Sequence, residues 1–291
     1  MSTTAGVPLH EGMIANSTIT SSWSNGVKND YLPNAYTLGD ILGDAGYDQE
    51  FIIGSDGYYS GRTQWFENHG NYRVVDYTYE LKKGRLPEDY CVWWGHEDKK
   101  LYEFAREDIL QLAESKRPFN LTMLTVDTHF PGGYYCNLCE DKYNEQYSNV
   151  YACASKQVQE FIDWVQKQDF YENTTIVISG DHPTMDSEYI EEMKLGEYYG
   201  YDRLTYTAII NPDDKCRIDN DGRIFTTMDL YPTTVAALGG VIEGNRIGLG
   251  VNLFSDEETL IEKYGIDYVC GEIEKKSYFY EYYLIGENGE R

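Results

Sequence analysis

From Tyr36 to Gly240 the sequence repeats one pattern, a short apolar β-rich run followed by a stretch with apolar residues at helical spacing. This alternation restricts the fold more than any other feature. Tyr36–Ala45 reads as a helix ended by Gly46, and Glu50–Ile53 as a short strand closed by Gly54. Leu101, Phe104, Ala105, Ile109 and Leu112 mark one face of an amphipathic helix between Glu97 and Lys116; after Pro118, Asn120–Val126 is the next β-rich run. Val158, Phe161, Ile162 and Val165 form another helical stripe. Thr174–Ser179 (TTIVIS) reads as a continuous apolar strand of the kind buried in a parallel sheet, and Tyr206–Ile210 as a further strand. Asp229–Leu238 reads as a helix with Pro232 in its first turn and Gly239-Gly240 at its end.

Strands alternating with helices imply an α/β fold, a layered sandwich whose largely parallel central sheet is flanked by helices. Ligands are then expected outside the carboxyl ends of the strands. No internal repeat or low-complexity linker divides the chain, so residues 1–291 read as one domain. The acidic, Tyr-rich segment Glu272–Leu284 reads as an edge strand or hairpin.

With 24 Lys+Arg against 49 Asp+Glu, the formal charge is −25. Nucleic-acid binding by bulk electrostatics is thereby excluded, because phosphate contacts need basic residues in number. No run approaches the 18 or so apolar residues that cross a bilayer, and the N-terminus lacks a basic region followed by an apolar stretch. An acidic chain of this kind can still be part of a secreted or membrane-anchored parent. Six cysteines are too few for a disulfide scaffold of this length. The pair Cys136 and Cys139 admits three readings: half of a zinc site, a redox pair or part of a local disulfide. Zinc needs a second ligand pair, and Cys153 is the only cysteine nearby. In an oxidising compartment a bridge from Cys139 to Cys153 is preferred, with Cys136 the competing partner for either; closing a loop of about 15 residues is worth roughly 3 kcal/mol in the chain-entropy account.

The chemistry gathers at two strand ends. TTIVIS is followed by Gly180-Asp181-His182-Pro183, where adjacent carboxylate and imidazole can reach one divalent ion; the alternative is a turn in which Asp181 caps a helix. The Asn120 strand is followed by Asp127-Thr128-His129-Phe130-Pro131 and two glycines. A single histidine after a strand is often structural, but a second His-bearing strand end in the same βα pattern points to a shared site.

Four strings in order, VDTHFPGGYYCNLC (Val126–Cys139), VISGDHPTMD (Val177–Asp186), RIFTTMDLYPTTVAALGG (Arg223–Gly240) and RIGLGVNLF (Arg246–Phe254), resemble the phosphoglycerol transferase branch of the alkaline phosphatase and sulfatase superfamily, a relative of lipoteichoic acid synthase. The resemblance runs from about Thr3 to Phe254. It implies an alkaline phosphatase-like fold and a bacterial membrane-anchored enzyme whose catalytic domain faces outside the cytoplasm. It also implies one divalent metal, Mn2+ first, with Mg2+ or Zn2+ as alternatives. Asp181 and His182 match the family's metal-binding pair. His129 matches the histidine that contacts the phosphoglycerol group, and Arg62, in IIGSDGYYSGRTQWFENHG, matches the phosphate-binding arginine; otherwise Arg62 is a solvated surface residue.

In that family the nucleophilic threonine precedes a segment resembling STTAGVPL, here Ser2–Leu9. The nucleophile, the metal-binding glutamate and the first strands of the sheet are therefore expected upstream of Met1, with Thr3 and Thr4 as poor substitutes. The function implied is metal-dependent transfer of phosphoglycerol from an anionic lipid such as phosphatidylglycerol to a cell-envelope glycan, through a threonine intermediate. The membrane is reached through the N-terminal segment not included here, and this chain alone is expected to be inactive. Two alternatives stand beside it: a phosphodiesterase or sulfatase-type hydrolase, and a non-catalytic glycan-binding remnant. The formylglycine setting of sulfatases, Cys-x-Pro-x-Arg, is absent from the sequence.

Overall fold

The computed structural model describes residues 2–6, 32–196, 203–216 and 222–284. Its elements in order are α1 (Ser2–Ala5), α2 (Leu38–Asp44), β1 (Asp48–Ile53), α3 (Arg62–Asn68), β2 (Arg73–Val75), α4 (Tyr77–Lys83), α5 (Asp98–Glu114), β3 (Phe119–Leu124) and α6 (Gln146–Val165). There follow β4 (Ile176–Ser179), α7 (Ser187–Glu192), β5 (Thr207–Ile210), α8 (Leu230–Ala237), β6 (Arg246–Ile247), β7 (Gly250–Val251), α9 (Leu260–Tyr264) and α10 (Ile266–Ile273). Every helix and strand expected between Tyr36 and Gly240 is present, with ends shifted by a few residues. Glu272–Leu284 differs: α10 runs to Ile273 and Phe279–Leu284 is a π-helical turn, so this segment is not a strand. Part of STTAGVPL, residues 7–9, lies outside the described residues.

The helix starts follow local chemistry. Thr37 Oγ1 accepts from Asp40 N while Asp40 Oδ2 accepts from Thr37 N, a reciprocal cap that opens α2. Asp76 caps α4 through Tyr79 N and also accepts from Gly57 N, so one carboxylate fixes a helix start and the loop after β1.

Strands β2, β1 and β3 form a parallel sheet in that order, with Glu50 opposite Arg73 on one side and Leu121 on the other. The side chains of β1 alternate between two cores, as a strand covered on both faces must. Ile52 packs with Val75 against Leu101, Phe104 and Ala105 of α5. Phe51 and Ile53 face the other way, and Phe51 stacks on Phe66 of α3 at 3.9 Å. Each of these large side chains contributes about 1.5–3 kcal/mol through burial. On the α5 side the buried Glu50 pairs with Arg73, which lies at the exposed edge.

TTIVIS departs from expectation. β4 pairs antiparallel with β5, Ile176 opposite Ile210, and Val177 is 37% exposed instead of buried between parallel neighbours. Among the described residues β3 and β4 are not hydrogen-bonded to each other. They nevertheless run in the same direction. Near their starts Phe119 meets Phe170 edge to face, and beyond their ends the Tyr147 hydroxyl donates to Thr128 O at 2.5 Å and lies 3.1 Å from Thr184 Oγ1. Between them lies a cleft of about 1840 Å³, walled by Leu121 and Met123 on one side and Val177 on the other, with Phe161 of α6 and Trp65 of α3 also lining it.

Candidate active site

Three loops meet at the carboxyl ends of β1, β3 and β4. The loop after β1 turns at Gly54, where a β-carbon would stand 2.3 Å from His96 O, so only glycine permits this approach. Gly61, at φ 73°, starts α3 and puts Arg62 on its first turn. The Arg62 guanidinium donates to Ser55 Oγ at 3.2 Å and lies over the Tyr59 ring at 5.2 Å. Burial lowers the guanidinium pKa, while Tyr59, Asp181 and Asp56 act in the opposite direction. Arg62 is therefore a half-buried cation within electrostatic reach of Asp181, not a solvated surface residue.

After β3 comes a buried acid pair. Asp98 accepts from Val126 N and Asp127 N, and Asp127 accepts from Asp98 N. Desolvation raises both carboxyls, with the charge of Glu97 adding to it at Asp98 and the charges of Asp98 and Glu97 at Asp127, so the pair retains a proton that ordinary carboxylates have lost. Asp127 O also accepts from Tyr134 N, closing the loop that carries His129. The tight return at Gly133, φ 65°, again requires glycine, because a β-carbon would lie 2.7 Å from Asp127 O. His129 Nδ1 stands 2.7 Å from Phe130 O, and since a carbonyl only accepts, that nitrogen carries the proton. In the neutral ring Nε2 then carries the lone pair. The ring leans on Trp94 at 4.5 Å, and Trp94 meets Tyr59 edge-on at 5.8 Å, so an aromatic bridge joins the His129 loop to the Arg62 loop.

After β4, Asp181 and His182 occupy an open turn, 72% and 50% exposed. His182 Nδ1 donates to Pro183 O at 2.9 Å, and its Nε2 stands 3.6 Å from Asp181 Oδ2. Locking Nδ1 to a carbonyl presents Nε2 as a ligand, the arrangement metal-binding histidines use. Asp181 does not cap a helix. That role belongs to Asp186, which accepts from Tyr189 N to open α7 and from Gly132 N in the His129 loop. The β3 and β4 loops are thus tied together by Asp186 and Tyr147.

The expected residues therefore share one end of the fold, Arg62 joined to His129 through rings and to Asp181 through charge. The Asp181–His182 pair fits two corners of a divalent-ion site. Among the described residues no third His, Cys, Asp or Glu completes it; the one group of three such donors within reach of a common ion is Cys136, Cys139 and Cys153. Sequence reasoning passed over Ser55, Tyr59, Trp94 and the Asp98–Asp127 pair. Asp127 lies two residues before His129 and gave a signal, but its buried partner lies 29 residues away and only the fold brings it there.

Comparison with known proteins shows the family and the fold. Residues 4–240 match the sulfatase family. A phosphoglycerol transferase I of Citrobacter koseri is 28% identical over 265 residues, covering 87% of this chain and 32% of that protein. One from Xanthomonas campestris pv. campestris is 31% identical over 164 residues, covering 54% of this chain and 23% of that protein. The chain thus spans about a quarter to a third of the length of these curated relatives. Among solved structures, a protein of the alkaline phosphatase superfamily from Vibrio parahaemolyticus superposes with a TM-score of 0.65 at 20% identity, over 90% of this chain and 58% of that one. The lipoteichoic acid synthase LtaP from Listeria monocytogenes gives 0.59 at 19% identity, over 78% and 58%. These two establish the alkaline phosphatase-like fold.

Proposed function

Because the chain belongs to the sulfatase family, we propose that it forms part of a phosphoglycerol transferase, moving phosphoglycerol from an anionic lipid such as phosphatidylglycerol to a cell-envelope glycan. The observation that supports this most is the meeting of a half-buried arginine, a histidine with a free Nε2 and an Asp–His pair at the carboxyl ends of three strands. In this reading Arg62 neutralises non-bridging phosphate oxygens as charge builds on them. Its bond to Ser55 and the Tyr59 ring hold the guanidinium ready, so little ordering is required when the substrate arrives. His129 Nε2 accepts a hydrogen bond from a glycerol hydroxyl, and its fixed tautomer makes it an acceptor rather than a donor there.

Asp181 and His182 would hold two corners of a divalent ion, Mn2+ in the first instance, which when bound would supply positive charge to the phosphate and acidify a hydroxyl. The nucleophilic threonine and a further glutamate ligand are assigned to polypeptide outside these 291 residues, as is the membrane anchor; the site itself faces the exterior of a bacterial cell. Attack of the threonine oxygen on phosphorus breaks the bond to the diacylglycerol oxygen, and a glycan hydroxyl then displaces the threonine.

The test uses the longest natural polypeptide containing this chain, with a fluorescent phosphatidylglycerol analogue and a glycan acceptor. Arg62→Ala is expected to raise KM and lower kcat/KM by about a hundredfold or more. Release of free glycerol phosphate with no glycan product would assign the site to a hydrolase. Glycan binding without turnover of either kind would assign it to a binding remnant.

A further inference from the structure

We propose that Cys136, Cys139 and Cys153 form a second metal site, separate from Asp181–His182, which binds Zn2+ through three thiolates and one water. From sequence spacing zinc lacked a second ligand pair. The fold supplies the third sulfur, because α6 presents Cys153 beneath the loop that carries Cys136 and Cys139. Cys136 Sγ lies 3.8 Å from Cys153 Sγ and 3.8 Å from Cys139 Sγ, and all three sulfurs lie within 4.8 Å of one another. In a tetrahedral site with zinc–sulfur bonds of about 2.3 Å, the sulfur–sulfur edges are about 3.8 Å. The thiols thus already stand at ligand spacing, and all six cysteines of the chain are free.

The surroundings suit this ion. Cys136 and Cys153 are 3% and 6% exposed, and Cys139 is partly open, leaving one side for solvent. Gln157, also 6% exposed, donates Nε2 to Cys153 Sγ at 3.6 Å, a contact that eases negative charge on a bound thiolate. Its Oε1 is buried and has no partner among the described residues, so it can accept from a metal-bound water. Lys156, on the same turn of α6, pairs with Glu140 at 2.9 Å at the exposed side of the cluster. Binding releases three thiol protons and leaves one net negative charge on the centre. The loop is also held in place without the ion, since Asn149 Oδ1 accepts from Lys142 N and Tyr143 N. The ordering cost of assembling the three ligands is therefore small. Three crowded thiolates in a buried corner would repel one another, and a soft cation removes that obstacle.

The experiment begins with protein purified under thiol reductant without chelator, followed by metal analysis and titration of the metal-free form with Co2+ alone. One metal per chain is expected, together with a thiolate-to-cobalt charge-transfer band and the visible bands of tetrahedral cobalt. Cys136→Ser and Cys153→Ser are expected to weaken binding by at least tenfold, whereas Asp181→Asn leaves the thiolate band unchanged. Should either serine variant fail to fold by circular dichroism, alkylation of the wild type decides: Zn2+ is expected to protect all three thiols together, and a chelator to restore their reactivity. A Cys139–Cys153 or Cys136–Cys153 disulfide in natively produced protein, a missing thiolate band, or alkylation indifferent to Zn2+ would overturn the proposal.

Discussion

Asp127 and Asp98 bind each other's backbone amides in a dry corner just before Thr128 and His129, and this carries a pH dependence of stability. Desolvation first, and then the charge of Asp98, pushes Asp127 up to about 8, above the unfolded value near 4. A raised acid contributes its stability in full below the unfolded pKa and loses it as pH rises through the folded one. The wild type is therefore expected to lose Tm from pH 5 to pH 9 relative to Asp127→Asn, which has no proton to give up. Melting curves across that range check it, and parallel profiles would reject it. Asp181 gives a second prediction at this scale. If it supplies one of two ligand corners, Asp181→Asn is expected to weaken Mn2+ binding by about tenfold or more in a calorimetric titration. Equal binding by both proteins would remove Asp181 from the site.

The loops that carry these residues are set by helix starts and glycine returns. Asp186 opens α7 through Tyr189 N and holds Gly132 N of the His129 loop at 2.8 Å. Asp186→Ala is expected to cost about 1–2 kcal/mol in urea denaturation, and Asp186→Asn a small fraction of that, because asparagine caps as well as aspartate. Equal losses in the two variants would show that the charge rather than the cap matters. Elements with local signatures were legible in the sequence: the helical stripes of α5 and α6, the apolar run of β1, and the Pro232 helix. What could not be read is pairing. TTIVIS has the composition of a buried parallel strand, but its partner β5 arrives from the opposite direction, and composition does not encode direction. The Tyr-rich segment reads as strand because aromatics favour sheets, yet it lies at the surface, where packing does not enforce that preference. For the site, strand-end histidines were legible as neighbours in a βα fold. The Trp94 bridge and the Asp98 partner depend on contacts that only assembly creates.

Across the molecule the cleft between β3 and β4 determines what these 291 residues can do alone. Two strands running side by side, not paired with each other among the described residues and lined by apolar side chains, leave a gap of about 1840 Å³ between them. Dyes that fluoresce in apolar clefts are accordingly expected to bind the isolated chain strongly, and less so a longer polypeptide containing it. The same gap opens onto the candidate site, since Ser55, Arg62 and Asp181 line one part of it. In the proposed reading Asp181 and His182 would supply two ligand corners. The threonine hydroxyls nearest the start of the chain are Thr3 and Thr4, both lining the cleft, with Thr4 Oγ1 buried and lacking a partner among the described residues. A threonine without a base or a metal beside it is a weak nucleophile, because its hydroxyl keeps its proton at neutral pH. Mixing the isolated chain with Mn2+ and a fluorescent phosphatidylglycerol analogue is therefore expected to give no diacylglycerol above the protein-free rate, at any pH from 6 to 9. If turnover does appear, Thr3→Ala combined with Thr4→Ala separates the two explanations. Loss of turnover would make one of these threonines the nucleophile, whereas turnover that survives the pair but vanishes in His182→Ala would require a nucleophile elsewhere in the 291 residues and would end the assignment of that role to a segment outside them.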